Sequence, residues 1–253
     1  MHADTMQGAQ GNQESIVSAT RFRPVPWQLR DLLRGSLAAL GLLLLGAIAA
    51  AVVAALAGMV GADMEDPRIQ GVMAVVIMGL EAVFILPAWR WGPSKYRVGI
   101  GWLGVHRAPL GRTVLYTLLG LAVILLINML WAQAMQRFGI PGQPDLVPIF
   151  GTGLGSQLVA LLVVGGIAPV AEEVFFRGFL YAGLRDAWGV GKAILVSAVI
   201  FGLVHMSLST LVPILAMGAV FAYLYERTDT LWASIALHAV INTLGVLAAY
   251  AAR

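Results

Sequence analysis

The sequence has no cysteine and little charge, and each shortage excludes a class of protein. Without cysteine the chain can form no disulfide, no thiolate nucleophile and no cysteine-based metal site. Only 11% of its residues are charged against 59% that are hydrophobic, and the mean hydropathy is +0.84. A soluble fold could not bury that much apolar surface. The composition therefore indicates a membrane protein.

Apolar windows as long as the hydrocarbon core of a bilayer recur along the chain. They run approximately over 35–60, 69–89, 112–133, 155–185, 191–208, 210–226 and 231–251. The predicted fold class is all-α, a polytopic transmembrane helix bundle of about seven spans. The fourth window is too long for one perpendicular helix, at about 45 Å for 1.5 Å per residue. A break near Gly165, Gly166 and Pro169 would give an eighth helix.

Three regions follow from these windows. Residues 1–34 are polar and mixed with aromatics and cations, which predicts a mobile tail leading into a headgroup-level segment around Trp27. The first window is much longer than the core of a signal peptide, so we expect it to remain as an anchor. Residues 35–135 form the N-terminal transmembrane helices, and residues 154–251 form a C-terminal four-helix unit that we expect to be catalytic.

The Lys and Arg residues alternate between two sets of loops. If the N-terminus is cytoplasmic, twelve of the sixteen fall on the inner side and three on the outer side, with Arg177 inside a span. Because such a bias sets orientation, we expect an integral protein of the bacterial plasma membrane with a cytoplasmic N-terminus. The inner residues are Arg21, Arg23, Arg30, Arg34, Arg90, Lys95, Arg97, Arg107, Arg112, Arg185, Lys192 and Arg227. The net charge of +3 then serves membrane orientation and indicates no nucleic-acid partner. Membrane lipid is an expected partner, and the sequence leaves the oligomeric state open.

Ionisable side chains inside a span are few, and most of them are in the C-terminal region. Each costs a few kcal/mol by insertion scales, so each needs a physical reason to be there. Among the first three windows only Glu81 qualifies. The last four windows contain Glu172, Glu173, Arg177, His205 and His238, with Asn242 nearby. The polar residues of the last hundred positions are therefore the candidates for function.

The segment from Ala171 to Gly178 reads AEEVFFRG. Glu173 and Arg177 are four residues apart, so on a helix they share a face and can form an ion pair. Glu172 points about 100° away and is the more available as a chemical base. A carboxylate in a poorly solvated cavity has its pKa raised toward the range useful for general base catalysis. The alternative is a buried cluster that only fixes helix packing.

Two further pairs have helical spacing. Phe201 and His205 in FGLVH lie on one face of the fifth window, and His238 and Asn242 in HAVIN lie on one face of the seventh. A lone histidine in a span more often makes a hydrogen bond between helices. A histidine and an amide on one face, however, can donate hydrogen bonds to a developing oxyanion.

With EEVFFR, FGLVH and HAVIN in this order, the sequence resembles the CPBP family of intramembrane peptidases, also called Abi. The family includes the type II CAAX prenyl proteases and bacteriocin-processing proteins. The likeness covers roughly residues 154–249. It implies an intramembrane endopeptidase that acts on a peptide or protein substrate, with prenylation of that substrate left open.

The resemblance also implies roles for single residues. Glu172 and His205 would activate a water, and His238 and Asn242 would hold the tetrahedral oxyanion. The supporting residues would be Glu173, Arg177 and Phe201. No cofactor is favoured, although Glu172, His205 and His238 could supply three ligands to zinc. We favour the metal-free glutamate mechanism, because the HExxH pair is absent.

Two other functions remain open at the level of sequence. One is a non-catalytic membrane scaffold or bacteriocin self-immunity protein that keeps the polar cluster for packing. The other, less favoured, is a proton-coupled transporter, because the sequence shows no inverted repeat of the kind common among transporters.

Overall fold

The computed structural model describes residues 24–59, 83–140, 147–207 and 209–252, together with a few single positions between 61 and 80. Every regular element in these residues is helical. We number the six long helices α1 (Leu29–Met59), α2 (Leu110–Arg137), α3 (Leu154–Trp188), α4 (Val190–Val204), α5 (Leu211–Thr228) and α6 (Leu231–Ala251). Shorter helical segments run over Ile85–Trp91, Pro93–Tyr96, Ile100–Leu103 and Val147–Phe150.

Four of these helices, α1, α2, α3 and α6, are long and apolar enough to cross a membrane. Helix α4 has 15 residues and so is about 22 Å long, short of the roughly 30 Å of hydrocarbon. Helix α5 ends in the charged pair Glu226 and Arg227. The predicted second window, 69–89, and Glu81 within it lie largely outside the described residues. An all-helical membrane protein is confirmed for the described chain, whereas about seven spans are not.

Helix α3 runs without a break through the long fourth window. Instead of breaking near Gly165 and Gly166, the helix widens into a π-helical stretch, Val163–Ile167, and then into a second, Val174–Tyr181. A π-turn accommodates one extra residue while the helix axis continues, so the break expected near Gly165, Gly166 and Pro169 does not occur. The eighth helix that a break would have produced does not form in this segment.

The core of the described chain surrounds α3. The most apolar window of α3 is 56% buried inside the protein and that of α6 is 39% buried. The corresponding windows of α1 and α2 are 6% and 11% buried, so these two helices turn most of their apolar surface outward, toward lipid. The residues that carry chemistry are therefore on the helices that pack against one another.

One end of the bundle gathers most of the basic loops, and we call it the basic face. It comprises residues 24–34, 90–112, 185–192 and 225–231. Lys95 forms an ion pair with Asp31 at the start of α1. Arg185 near the end of α3 lies 3.9 Å from Glu226 near the end of α5. The loops that the charge pattern assigned to one side of the membrane thus lie at one end of the structure.

Trp27, before α1, packs against α3. Its side chain is buried, and its indole N–H donates to the carbonyl of Phe179, 3.0 Å away in the second π-helical stretch. A buried indole needs such a partner for its single donor. The residue therefore ties the chain before α1 to α3. Residues 1–23 of the predicted tail lie outside the described residues.

Candidate active site

The two adjacent carboxylates lie on a short α-helical stretch of α3, Ala168–Glu173, between the two π-helical stretches. In the π register the carbonyl of Val164 faces residue 169, a proline without an N–H. The side-chain amide of Asn242 on α6 donates to that carbonyl at 2.9 Å. This bond brings Asn242 to the helix that carries Glu172.

Glu173 is the centre of a fully buried ion network. Its Oε1 accepts a hydrogen bond from Arg177 Nη1 at 2.7 Å, the predicted pairing of residues four apart. The same oxygen lies 3.0 Å from Nδ1 of His238 on α6. A carboxylate beside a guanidinium accepts, so Nδ1 of His238 carries the proton in this contact. The network joins α3 to α6 and fixes the orientation of the His238 ring.

Aromatic rings close this network off from solvent. The guanidinium carbon of Arg177 lies 4.4 Å from the ring centroid of Phe201 and 5.0 Å from that of Phe221. Phe221 also stacks on His238, with ring centroids 4.8 Å apart. Nη2 of Arg177 donates to the carbonyl of Gly218 at 3.2 Å. Arg177 is therefore a cation enclosed by rings and dipoles, as a charge in a low-dielectric interior requires.

Glu172 has a different partner. Its Oε2 lies 4.0 Å from Nε2 of His205, the residue that ends α4. Nδ1 of His205 lies 2.7 Å from the carbonyl of Phe201, which can only accept, so Nδ1 carries the proton and Nε2 of the neutral ring is an acceptor. The gap between Nε2 and the carboxylate is too long for a direct hydrogen bond and is suited to a bridging water.

Glu172 and His205 lie at nearly equal distances along the chain from the turn between α3 and α4, which explains how they meet. Along α3, Glu172 lies about 24 Å from Trp188 at 1.5 Å per residue. Helix α4 starts just after Trp188 and runs back about 22 Å before it ends at His205. The two side chains therefore reach the same depth.

The structure brings the predicted site residues together as two separate Glu–His pairs on either side of Phe201. The Phe201 ring centroid lies 4.7 Å from that of His205 and 6.0 Å from that of His238. The three residues considered for zinc, Glu172, His205 and His238, do not form a metal-binding cluster in the described part of the chain. His238 directs Nδ1–H to Glu173, which leaves Nε2 as the open nitrogen of its ring.

Sequence reasoning missed three features of the site. The carboxylate partner of His238 is Glu173, which the sequence assigned only to Arg177. Phe221 and Gly218 were not singled out, although both contact the network from α5. Their spacing of three residues places them on one face of α5 and was the available signal, but an apolar helix offers many such pairs.

Comparison with known proteins shows what part of the chain resembles. Residues 154–244 match the model described as type II CAAX prenyl endopeptidase Rce1-like. This segment is similar to that family. The resemblance seen in the three motifs is thereby confirmed, and the match supports a membrane peptidase at the level of the family. It covers α3, α4, α5 and the part of α6 that carries His238.

Two relatives illustrate the extent of the similarity. The Bacillus subtilis (strain 168) protein named "Putative membrane peptidase YdiL" is 33% identical over 138 residues, which is 48% of this chain and 56% of the relative. The Lactococcus lactis protein named "UPF0177 protein YxdF" is 29% identical over 84 residues, 33% of this chain and 46% of the relative. The chain spans about half the length of the curated relatives it matches. No solved structure matches it.

Proposed function

We propose that the chain is an intramembrane endopeptidase of the CAAX-protease type that hydrolyses a peptide bond of a membrane-associated protein or peptide. The observation that carries the proposal is the Glu172–His205 pair, with Oε2 and Nε2 4.0 Å apart at the end of a helix too short to cross the bilayer. The family match supports the reaction class. Prenylation of the substrate stays open.

In this mechanism a water lies between Glu172 and His205 and donates one hydrogen to each. Both partners are acceptors, the carboxylate by charge and the imidazole at Nε2, so the water oxygen gains electron density. Glu172 takes a proton as the oxygen attacks the substrate carbonyl carbon, and a tetrahedral oxyanion forms. The water is the nucleophile and the carboxylate is the general base.

His238 and Asn242 hold the oxyanion. Asn242 uses one N–H on the carbonyl of Val164 and keeps a second for the substrate. In the neutral ring His238 presents a bare Nε2, because Nδ1–H faces Glu173, so it donates to an oxyanion only as the imidazolium. The nearby carboxylate of Glu173 stabilises that cation and thereby favours the charged transition state.

The reaction closes when the tetrahedral intermediate collapses. The C–N bond breaks, and the proton held by Glu172 passes to the departing amine, so the carboxylate is regenerated and one water has been consumed. The substrate leaves as two peptides, one with a new carboxylate and one with a new amine. No step uses a metal ion.

The test is to compare peptide termini in membranes from cells that make the wild-type chain or Glu172→Gln. We expect a set of new termini that disappears in Glu172→Gln and in His205→Ala while the level of protein in the membrane is unchanged. The matched control is Glu226→Gln, a carboxylate on α5 that accepts from Tyr181 at the basic face, 2.8 Å away, and should leave those termini in place. Identical termini in wild-type and Glu172→Gln membranes would refute the proposal, and a scaffold would give that result.

A further inference from the structure

A basic residue at the end of α5 is held between two tyrosines at the surface of the bundle. Arg227 donates a hydrogen bond from Nε to the hydroxyl oxygen of Tyr116 on α2, 3.2 Å away. Its guanidinium carbon lies 5.8 Å from the ring centroid of Tyr116 and 5.7 Å from that of Tyr223 on α5. The two rings meet edge to face, with centroids 6.3 Å apart. We call these three residues the arginine–tyrosine cluster, and none of them belongs to the proposed active site.

Close packing of α2 against α5 fixes the cluster. One turn after Tyr116, a Cβ on Gly120 would lie 3.3 Å from a side-chain atom of Leu224, so the glycine lets the two helices approach. Tyr223 and Arg227 are four residues apart and lie on one face of α5. A guanidinium that two rings already restrain loses less conformational entropy on binding a ligand than a freely moving arginine does.

The charge of Arg227 is not neutralised within the described chain. The neighbouring carboxylate, Glu226, accepts from Tyr181 at 2.8 Å and lies 3.9 Å from Arg185. No Asp or Glu among the described residues forms an ion pair with Arg227, and its hydrogen bond to Tyr116 uses only Nε–H. The four N–H bonds of Nη1 and Nη2 and the hydroxyl hydrogen of Tyr116 therefore remain as donors. A positive charge with several donors is suited to an anion.

The cluster lies at the level of the lipid headgroups. Helix α2 has 28 residues and is about 42 Å long, about 12 Å more than the hydrocarbon core of a bilayer. With that excess shared between its two ends, Tyr116, about 9 Å from the start of the helix, lies about 3 Å from the hydrocarbon boundary. Tyrosine and arginine both favour this level. Beside Tyr116, the side chains of Leu115, Leu118 and Leu119 are exposed, so an apolar surface on this spanning helix continues from the cluster.

We propose that the arginine–tyrosine cluster binds the phosphate of an anionic phospholipid, whose acyl chains lie along the exposed leucines of α2. A guanidinium and a phosphate match in shape and charge and can form two parallel hydrogen bonds. A zwitterionic headgroup fits less well, because its ammonium group needs a carboxylate or an aromatic face. Glu226 is engaged with Tyr181, and the tyrosine rings already hold the guanidinium. The bound lipid holds α2 against α5.

The test uses the full chain, purified in a neutral detergent until its native lipid is removed. Phosphatidylglycerol or phosphatidylcholine is then added, and binding is measured by native mass spectrometry and by the melting temperature Tm. We expect the wild type to bind phosphatidylglycerol about tenfold more tightly than phosphatidylcholine. Arg227→Gln should bind phosphatidylglycerol about tenfold more weakly than the wild type and lose the rise in Tm that this lipid causes. Equal affinity of the wild type for the two lipids would overturn the proposal.

Arg34→Gln is the matched control. It makes the same substitution at an exposed arginine of the basic face, on α1, which packs against α3 and the segment Ile85–Trp91. At physiological salt, where distant exposed charges are screened, it should change the affinity for phosphatidylglycerol by less than about threefold. If Arg34→Gln and Arg227→Gln weaken binding equally, the summed charge of the basic face attracts the lipid and the cluster is not a site.

Soluble glycerol phosphate distinguishes the two sources of a phosphate group. At equal concentration it should not displace phosphatidylglycerol, because it lacks the acyl chains that contact α2. Displacement would show a site for a small soluble anion and would overturn the assignment to lipid.

A second variant covers the case in which Arg227→Gln does not accumulate. Tyr116→Phe removes one hydroxyl group and should weaken phosphatidylglycerol binding about threefold. Unchanged binding by Tyr116→Phe would contradict the proposal. Lipid binding requires no catalysis, so its failure is distinguishable from failure of the Glu172→Gln test.

Discussion

Two adjacent carboxylates on one helix serve in opposite surroundings. Glu173 is fully buried and lies 3.0 Å from His238 and 2.7 Å from Arg177. Glu172, one residue earlier, faces the partly exposed His205 across 4.0 Å. The helix turns about 100° per residue, so a single step along the chain moves a buried carboxylate from an ion network to a position beside the partly exposed His205.

The difference shows how one helix can hold a carboxylate that stabilises the fold, Glu173, next to one that we propose acts in catalysis, Glu172. The carboxylate of Glu173 is neutralised by a guanidinium in a buried ion pair, whereas that of Glu172 faces an imidazole nitrogen across a gap that a water can bridge. Substitutions in the buried pair of Glu173 and Arg177 should therefore mainly reduce stability. Substitutions in the pair of Glu172 and His205, which we call the open pair, should mainly reduce activity. The following substitutions test that division.

Arg177→Met is expected to have the largest effect on folding. It leaves the buried carboxylate of Glu173 without its cation, and breaking a buried pair from one side destabilises by about 3–5 kcal/mol. The free energy of unfolding can be followed by SDS titration of the protein in mixed micelles. Glu172→Gln, at the open pair, should change it by less than about 1 kcal/mol, since an amide replaces a carboxylate of the same shape.

The double variant Glu173→Gln/Arg177→Met serves as the control for that prediction. Removing both charges eliminates the uncompensated ion, so the double variant should be more stable than Arg177→Met alone. If Arg177→Met proves no more disruptive than Glu172→Gln, the two carboxylates do not differ in the way the structure indicates.

Gly218→Ala should weaken the sealed network from its other side. A Cβ at this position would lie 2.9 Å from the Cα of Ala198 on α4, and a backbone atom cannot move aside as a side chain can. Overpacking of this kind costs about 1–3 kcal/mol, more than the gain of up to about 1 kcal/mol from alanine's helix propensity. The matched control is Gly245→Ala, where a Cβ would meet nothing within 4 Å. Equal unfolding free energies for the two variants would contradict the close approach.

Trp131→Phe should have a smaller effect on the free energy of unfolding, and its effect should be local to the loop after His205. The substitution keeps an aromatic ring but removes the N–H that donates to Ser209 in the loop after His205. Loss of one such bond costs about 1 kcal/mol. In a Met206→Cys background it should also speed maleimide labelling, because the loop is less firmly held. Trp232→Phe, an exposed tryptophan at the start of α6, should change neither measurement.

Sequence alone could predict the membrane setting, the pairing of Glu173 with Arg177, and the two other motif pairs. These follow from local rules: apolar length, helical period and the cost of charge in lipid. The same rules also identify Glu172 as the carboxylate outside the ion pair of Glu173 and Arg177. Catalytic roles for Glu172, His205, His238 and Asn242 stay predictions.

The rest depends on relations between helices that the sequence does not encode locally. That Glu173 would orient His238 depends on how α6 packs against α3, and the bond from Trp27 to a carbonyl of α3 depends on how the chain before α1 packs. The length of α4 was missed because apolar residues continue past the point where the helix stops at His205. Hydropathy measures composition and does not locate the residue at which a helix ends.

A third carboxylate, Asp31, extends the comparison, because it is buried while its partner cation, Lys95, is partly exposed. Lys95 donates to Asp31 from a side chain that is 29% exposed, and this bond raises the pKa of Lys95 above its usual 10.5. The folded state therefore holds the Lys95 proton more tightly than the unfolded chain does. The resulting stabilisation is complete below pH 10.5 and is lost as the pH rises through the higher, folded-state pKa. The unfolding free energies of wild type and Lys95→Met should thus differ most near neutral pH and converge in strong alkali. Both proteins should also carry Tyr96→Phe, because the pKa of Tyr96 is raised mainly by burial and is lowered by Lys95, so this tyrosine would ionise differently in the two. A difference that stays constant, or that grows with pH, would show that Lys95 contributes no charge-dependent stability at the basic face.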